Sequence, residues 1–282
     1  MDIIKAHAIN NLCYIAAQKM RPEGIVVHST GANNPTLKRY VNCPEEVGEN
    51  KRGNHWDIPK PEGKRMCVHA FIGLDKNNEI RVAEILPLDI CCWGVGKGNK
   101  GSYNDNPPYI QFEICEDGLN DKEYYDKAFG LAVEYCAFLC TNYGIAPDRI
   151  VGHCEAHKNG YGSNHRDPEH WMKKFGETMD IFRMKVVRYL LNECYVAKIN
   201  SKRTNIEDGD LVCIHENSVY YNGKTIPDWV KLQNWYVKGT PKGDRVVIDK
   251  NERGTSSIVS PISAKYLTVV KKRSESISND TV

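Results

Sequence analysis

Between two apolar runs, YIQFEICE (Tyr109–Glu116) and RIVGH (149–153), lies one long amphipathic stretch, DKEYYDKAFGLAVEYCAFLCTNYG. In it Tyr125, Phe129, Ala132, Cys136, Leu139 and Tyr143 recur at the three-and-four spacing that places side chains on one face of a helix. Gly144 stops that pattern, and Pro147 prevents its continuation. The flanking runs have strand length. Strand, helix and strand in succession restrict the fold to the α/β class. The rest of the first 194 residues agrees. NNLCYIAAQKM reads as a short helix ended by Pro22, and GIVVHST as a buried strand rich in β-branched residues. CVHAFIGLDKNNEIRVAEIL reads as a hairpin turning at DKNNE. A last helix, expected from about 177 to 194, would align Ile181, Phe182, Lys185, Val186 and Tyr189.

The pattern changes near Tyr195. Residues 195–207 are polar and without periodicity, as a linker is. From Asp210 onward no helical pattern is found. Short β-rich runs (LVCIH, SVYYNG, NWYVKG, DRVVID, SPISAKYLTVVK) alternate with Gly, Asn and Asp turns, so residues 208–272 are expected to form a small β-barrel of SH3-like size. Residues 273–282 read as a disordered tail. Tyr220, Tyr221, Trp229, Trp235 and Tyr236 are the barrel's candidate contact aromatics, although a barrel this small needs about half of them inside.

Composition narrows the partners. A net charge of +2 gives no reason to expect nucleic acid or an anionic membrane surface. No apolar run approaches the roughly 20 residues that span a bilayer. The first twenty residues lack a cationic start, an apolar run and a small-residue cleavage site, so a cytosolic beginning is expected. Eleven cysteines occur without a CxxC pair and are expected to pack mostly as buried thiols.

The chemistry concentrates in GHCEAHKNGYGSNHRDPEHW (152–171), which holds four histidines, two glutamates and an aspartate. His28 and His153 each end an apolar β run, GIVVH and RIVGH, and rigid strand ends suit metal ligands. A catalytic zinc needs three protein ligands and one open position. The third is sought among Glu155, His157, His165, Asp167, Glu169 and His170, and spacing alone does not choose between Asp167 and His165. Glu113 sits between Phe112 and Ile114 in mid-strand. It either faces solvent or turns toward the metal as a general base, because a carboxylate in an apolar strand is costly without a partner or a task.

Taken in order, GIVVHSTGANNP, CVHAFIG, YIQFEICEDG and IVGHCEAH…SNHRDPEHW resemble the type-2 N-acetylmuramoyl-L-alanine amidases, a family that includes phage endolysins, bacterial wall amidases and peptidoglycan-recognition proteins. The resemblance implies a mixed β-sheet flanked by helices, with one catalytic Zn2+ held by His28, His153 and Asp167 and with Glu113 as the strand glutamate. It implies hydrolysis of the amide between N-acetylmuramic acid and L-alanine of bacterial peptidoglycan. Trp93 and Asn164 fall at substrate-binding positions, and His69 falls where a histidine stands either behind the ligands or in the substrate groove, not as a ligand. Two positions depart from the pattern. His165 stands where many relatives carry a lysine that steadies the oxyanion, and Gly94 stands where many carry a histidine, which puts one groove contact in doubt. The C-terminal part resembles, more loosely, the SH3-type wall-binding domains of endolysins, with Tyr220, Tyr221, Trp229 and Trp235 as the wall-contact candidates. The implied setting is a phage endolysin that waits in the host cytoplasm and reaches the wall at lysis. The alternatives are a host autolysin of the same activity and a non-catalytic peptidoglycan-recognition module.

Overall fold

The computed structural model describes residues 1–61, 66–200, 205–215, 218–231, 233–251 and 255–273, with backbone alone for 192–200, 228, 229 and 259. Its chain divides into two compact units. The first comprises 1–136 with 148–184, and the second 137–147 with 185–282.

The elements in chain order are β1 (Ile3–Lys5), α1 (Leu12–Ala16), β2 (Gly24–Asn33), α2 (Pro44–Val47), β3 (Ala70–Leu74), β4 (Ile80–Glu84), β5 (Tyr109–Glu116), α3 (Lys122–Tyr143), β6 (Ile150–Gly152), α4 (His153–Asn159), α5 (Glu169–Met172) and α6 (Met179–Asn200). Six strands form one mixed sheet in the order β1-β4-β3-β5-β2-β6. Only the β3–β4 hairpin is antiparallel; β5 runs parallel to both β3 and β2, and β6 runs parallel to β2. The central strands are buried on both faces. Ile25, Val26, Val27, Ile110, Phe112 and Ile114 have no solvent exposure, as expected of parallel strands covered by helices. The long helix α3 buries Tyr125, Phe129, Ala132, Cys136 and Leu139, the stripe read from the sequence.

Several expectations need correction. Helix α1 ends well before Pro22, at Ala17, whose left-handed backbone lets its N–H bond back to Cys13 and Tyr14. His28 lies inside β2 and not at its end, because β2 continues to Asn33 after an irregularity in its pairing beyond Ser29. Helix α6 runs to Asn200, into the stretch read as a linker, and Lys185 is exposed while Phe182 and Val186 are buried.

In the second unit, β7 (Leu211–Ile214), β8 (Trp235–Val237), β9 (Arg245–Asp249), β10 (Ser257–Ser263) and β11 (Leu267–Lys271) form an antiparallel sheet in the order β10-β9-β8-β7-β11. Val212, Ile214, Ile226, Val230, Trp235, Val237, Val246, Ile248, Ile262 and Leu267 fill its core. A short helix α7 (Asp228–Lys231) interrupts the expected all-β run, and SVYYNG makes isolated bridges instead of a strand. Trp235 has no exposure, and its indole N–H donates to the Val230 carbonyl, so this wall-contact candidate is a core residue. Tyr220 is half-buried against the same core, whereas Tyr221 is exposed beneath the Arg245 guanidinium. The side chain of Trp229 and the tail 274–282 lie outside the described residues. Nine of the cysteines are free thiols, most of them buried, and Cys213 is disulfide-bonded. No helix among the described residues is long and apolar enough to cross a membrane.

Candidate metal centre

Parallel pairing of β2 with β6 and β5 sets His28 directly opposite Glu113 in register and brings the start of α4 beside it. His153 is the first residue of α4, immediately after β6. The third component arrives on the loop before α5, where the Asp167 carbonyl accepts the Cys154 N–H and so fixes the loop to the first turn of α4. Four residues further on, Trp171 is fully buried among Tyr125 and Phe129 of α3.

The three side chains meet. His28 Nδ1 lies 3.0 Å from His153 Nδ1 and 3.2 Å from Asp167 Oδ2, and His153 Nδ1 lies 3.4 Å from Asp167 Oδ1. Both imidazoles are buried and the carboxylate nearly so. Of the two residues that spacing left open, Asp167 is the one whose ligand atoms lie among those of the histidines. Among the described residues, this is the group of His, Cys, Asp and Glu that could hold a metal.

The surrounding hydrogen bonds say what kind of atom this centre accepts. Gln111 Nε2 donates to the carbonyl of Tyr103 and to Asn104 Oδ1, both acceptors, which turns Gln111 Oε1 toward His28 Nε2 at 3.2 Å. The ring must therefore donate from Nε2. Ser163 Oγ donates to the Val95 carbonyl and so accepts from His153 Nε2. In their neutral forms both imidazoles present the Nδ1 lone pair inward, facing a carboxylate. Three acceptors converging in a buried place fit a cation. Zinc donors at about 2.0–2.1 Å in a tetrahedral array stand about 3.3 Å apart, which matches the observed spacing. Burial pushes the His153 imidazole down, toward its neutral, ligating form.

Glu113 is half-buried, with Oε2 shielded from solvent. It stands two residues beyond Gln111 on the same strand, hence on the face that carries His28. His165 is largely exposed, with its ring 4.4 Å from that of His153 and Nδ1 3.9 Å from Asp167 Oδ1. Asn164 is exposed beside it, and Trp93 is partly exposed at an isolated bridge to Cys67.

His69 is a correction. It is fully buried, its Nδ1 accepts the Gln111 N–H, and its Nε2 donates to the Ile90 carbonyl. Burial pushes its pKa down to about 4, and neither nitrogen is left for a substrate. Three of the remaining polar residues of the loop have structural partners. Glu155 holds Arg183 through both carboxylate oxygens, His157 faces the Gly162 carbonyl, and His170 pairs with Glu116. Burial raises the Glu169 carboxyl. Sequence reading missed Gln111, Asn104 and Ser163 as parts of the centre. The signal for Gln111 was its place in a strand of otherwise apolar neighbours.

Fold and site together define an α/β protein in which His28, His153 and Asp167 converge in a buried cluster on the sheet face that carries Glu113. The N-acetylmuramoyl-L-alanine amidase family model (Amidase_2) matches residues 18–170, more than half of the chain, and the chain belongs to that family. Bifunctional autolysins of Staphylococcus aureus strains Mu50 and N315 are 26% identical over 187 residues, which cover 64% of this chain and 12% of the autolysin. The chain thus spans only a small part of the length of these relatives. Among solved structures, Staphylococcus aureus hydrolase AmiA in complex with its ligand is similar at a TM-score of 0.48 and 22% identity, over 68% of this chain and 84% of that one. The PlyG catalytic domain is similar at 0.46 and 22% identity, over 67% and 96%.

Proposed function

We propose that this protein is a zinc-dependent N-acetylmuramoyl-L-alanine amidase that hydrolyses the amide between the lactyl group of N-acetylmuramic acid and the L-alanine of the peptidoglycan stem peptide. One observation carries this reading. In a chain of this family, three acceptors drawn from up to 139 residues apart converge at zinc spacing beside Glu113. Zinc held by His28, His153 and Asp167 supplies Lewis acidity and brings the pKa of water to about 7. Glu113 takes the proton from the attacking water and returns it to the departing alanine amine. His165, at the exposed rim, donates a hydrogen bond to the scissile carbonyl oxygen as its negative charge grows, the task that a lysine performs in many relatives. Trp93 and Asn164 are the flanking substrate contacts.

The reading extends to residues 208–272 as an SH3-like wall-binding domain after a linker that ends at about residue 207. Tyr221 is its exposed aromatic and Tyr220 its half-buried one. The setting proposed is a phage endolysin that acts on the wall at lysis. The Staphylococcus relatives, themselves autolysins, favour a second reading, a host autolysin with the same activity.

The test is digestion of purified peptidoglycan, followed by mass spectrometry of the products. Free N-terminal alanine, lost with chelator and restored by zinc, is expected. Cleavage at a glycosidic bond or within the peptide would reject the activity. Binding to walls without new amino termini would establish the non-catalytic module instead.

A further inference from the structure

The turn Gly94-Val95-Gly96 supplies none of the three candidate ligands, but its Val95 carbonyl also faces the His153 ring, and the turn contacts both residues that set the imidazole protons. Asn104 Oδ1 accepts the N–H groups of Gly94 and Val95 as well as the Gln111 amide. The Val95 carbonyl accepts both the Ser163 hydroxyl and the Ser163 N–H. The glycines leave the space that these side chains need. A Cβ on Gly94 would lie 2.6 Å from Gln111 Oε1, the atom that faces His28. A Cβ on Gly96, at φ +70°, would lie 2.7 Å from Ser163 Oγ, the atom that faces His153. One three-residue turn therefore braces the outward nitrogen of each imidazole, through Gln111 on one side and Ser163 on the other.

We propose that Gln111 and Ser163, held by the Gly94–Gly96 turn, are positioning residues that lock His28 and His153 as Nε2–H tautomers and so deliver both Nδ1 atoms to the metal. Gly94, which the sequence presents as a lost groove contact, is on this view the space that Gln111 requires. The inference rests on the zinc reading above. Losing a partner of this kind typically weakens metal affinity 10- to 100-fold.

The test measures zinc dissociation constants by chelator competition for the full chain and for Q111M, G94A, S163A and the Q111M/G94A pair. Imidazole 15N chemical shifts of the metal-free proteins are recorded alongside. Each single variant is expected to bind zinc about 10- to 100-fold more weakly. The pair should be no weaker than Q111M by more than about threefold, because G94A acts through the same amide. In Q111M the His28 shifts should move from the Nε2–H pattern toward a mixture of tautomers, a change that a purely structural role would not produce. A folded Q111M that keeps wild-type zinc affinity and the wild-type tautomer overturns the proposal. If Q111M does not fold, S163A, which removes a single hydroxyl, decides the matter at His153. Failure of the wild-type chain to bind zinc would instead overturn the functional reading.

Discussion

Replacing Asp167 by asparagine keeps the shape of the centre and removes its only formal negative charge. The three candidate ligand atoms already stand 3.0 to 3.4 Å apart in a buried place, so on the proposed reading zinc binds the folded chain and has no comparable site in the unfolded one. At free zinc 100-fold above the dissociation constant, that linkage adds about 2.7 kcal/mol. A kilocalorie moves the midpoint of a domain of 150–250 residues by roughly 2–4 °C, so zinc should raise the wild-type transition by roughly 5–11 °C. An asparagine oxygen is a neutral, weaker ligand. If D167N weakens binding 100-fold, the same zinc concentration only equals the new dissociation constant, and the increment shrinks to about 0.4 kcal/mol, roughly 1–2 °C. The assay is calorimetry with and without zinc, following the transition that responds to the metal. A D167N protein with the full wild-type zinc shift would refute the reasoning, since Asp167 would then be a bystander.

Glu113→Gln should lower kcat by about 10²- to 10⁴-fold while zinc stoichiometry stays at one per chain, because the residue moves protons and holds no metal. Near-wild-type turnover would remove Glu113 from the mechanism. His165→Ala should reduce kcat more than it raises KM, as expected for a group engaged chiefly in the transition state; a pure KM effect would make it a binding residue. The hydrogen bond to Glu116 raises the His170 pKa above its ordinary 6.5, with burial opposing. The contribution of that pair is therefore fully present below about pH 6.5 and lost as pH rises through the raised value. Relative to His170→Gln, the wild-type protein should lose stability between pH 6 and pH 8, and parallel melting profiles would contradict this. In the second unit, Trp235→Ala should cost about 3–5 kcal/mol, while Tyr221→Ala should leave its melting unchanged and weaken wall binding in a sedimentation assay.

The α/β plan was legible because α3 and the flanking strands follow strict periods, and a period survives without knowledge of neighbours. The two histidines of the cluster stood out for a related reason: each is a polar end to an apolar run, a local contrast. Asp167 was not separable from His165 by spacing, since both lie in a loop whose path is set by the Cys154–Asp167 backbone bond and by Trp171 in its pocket. His69 misled because a fully satisfied buried histidine and a working one look alike in sequence; only its two backbone partners distinguish them. Trp235 misled similarly, because in a small sheet the same aromatic can face either way. Ser163 and Asn104 gave no local signal. Their importance lies in bonds to residues distant in sequence, which no pattern records.

The anchoring of Trp171 among Tyr125 and Phe129 has a consequence for how a chain of this family can diversify. The loop is tied down on either side of its exposed tip, at Ser163 by the turn and from Asp167 onward by the aromatic pocket. Asn164, His165 and Arg166 are exposed between these ties. On the proposed reading, exchanges at Asn164 and Arg166 can retune which polymers are accepted while His28, His153 and Asp167 keep their places, so new preferences can arise there without a folding penalty.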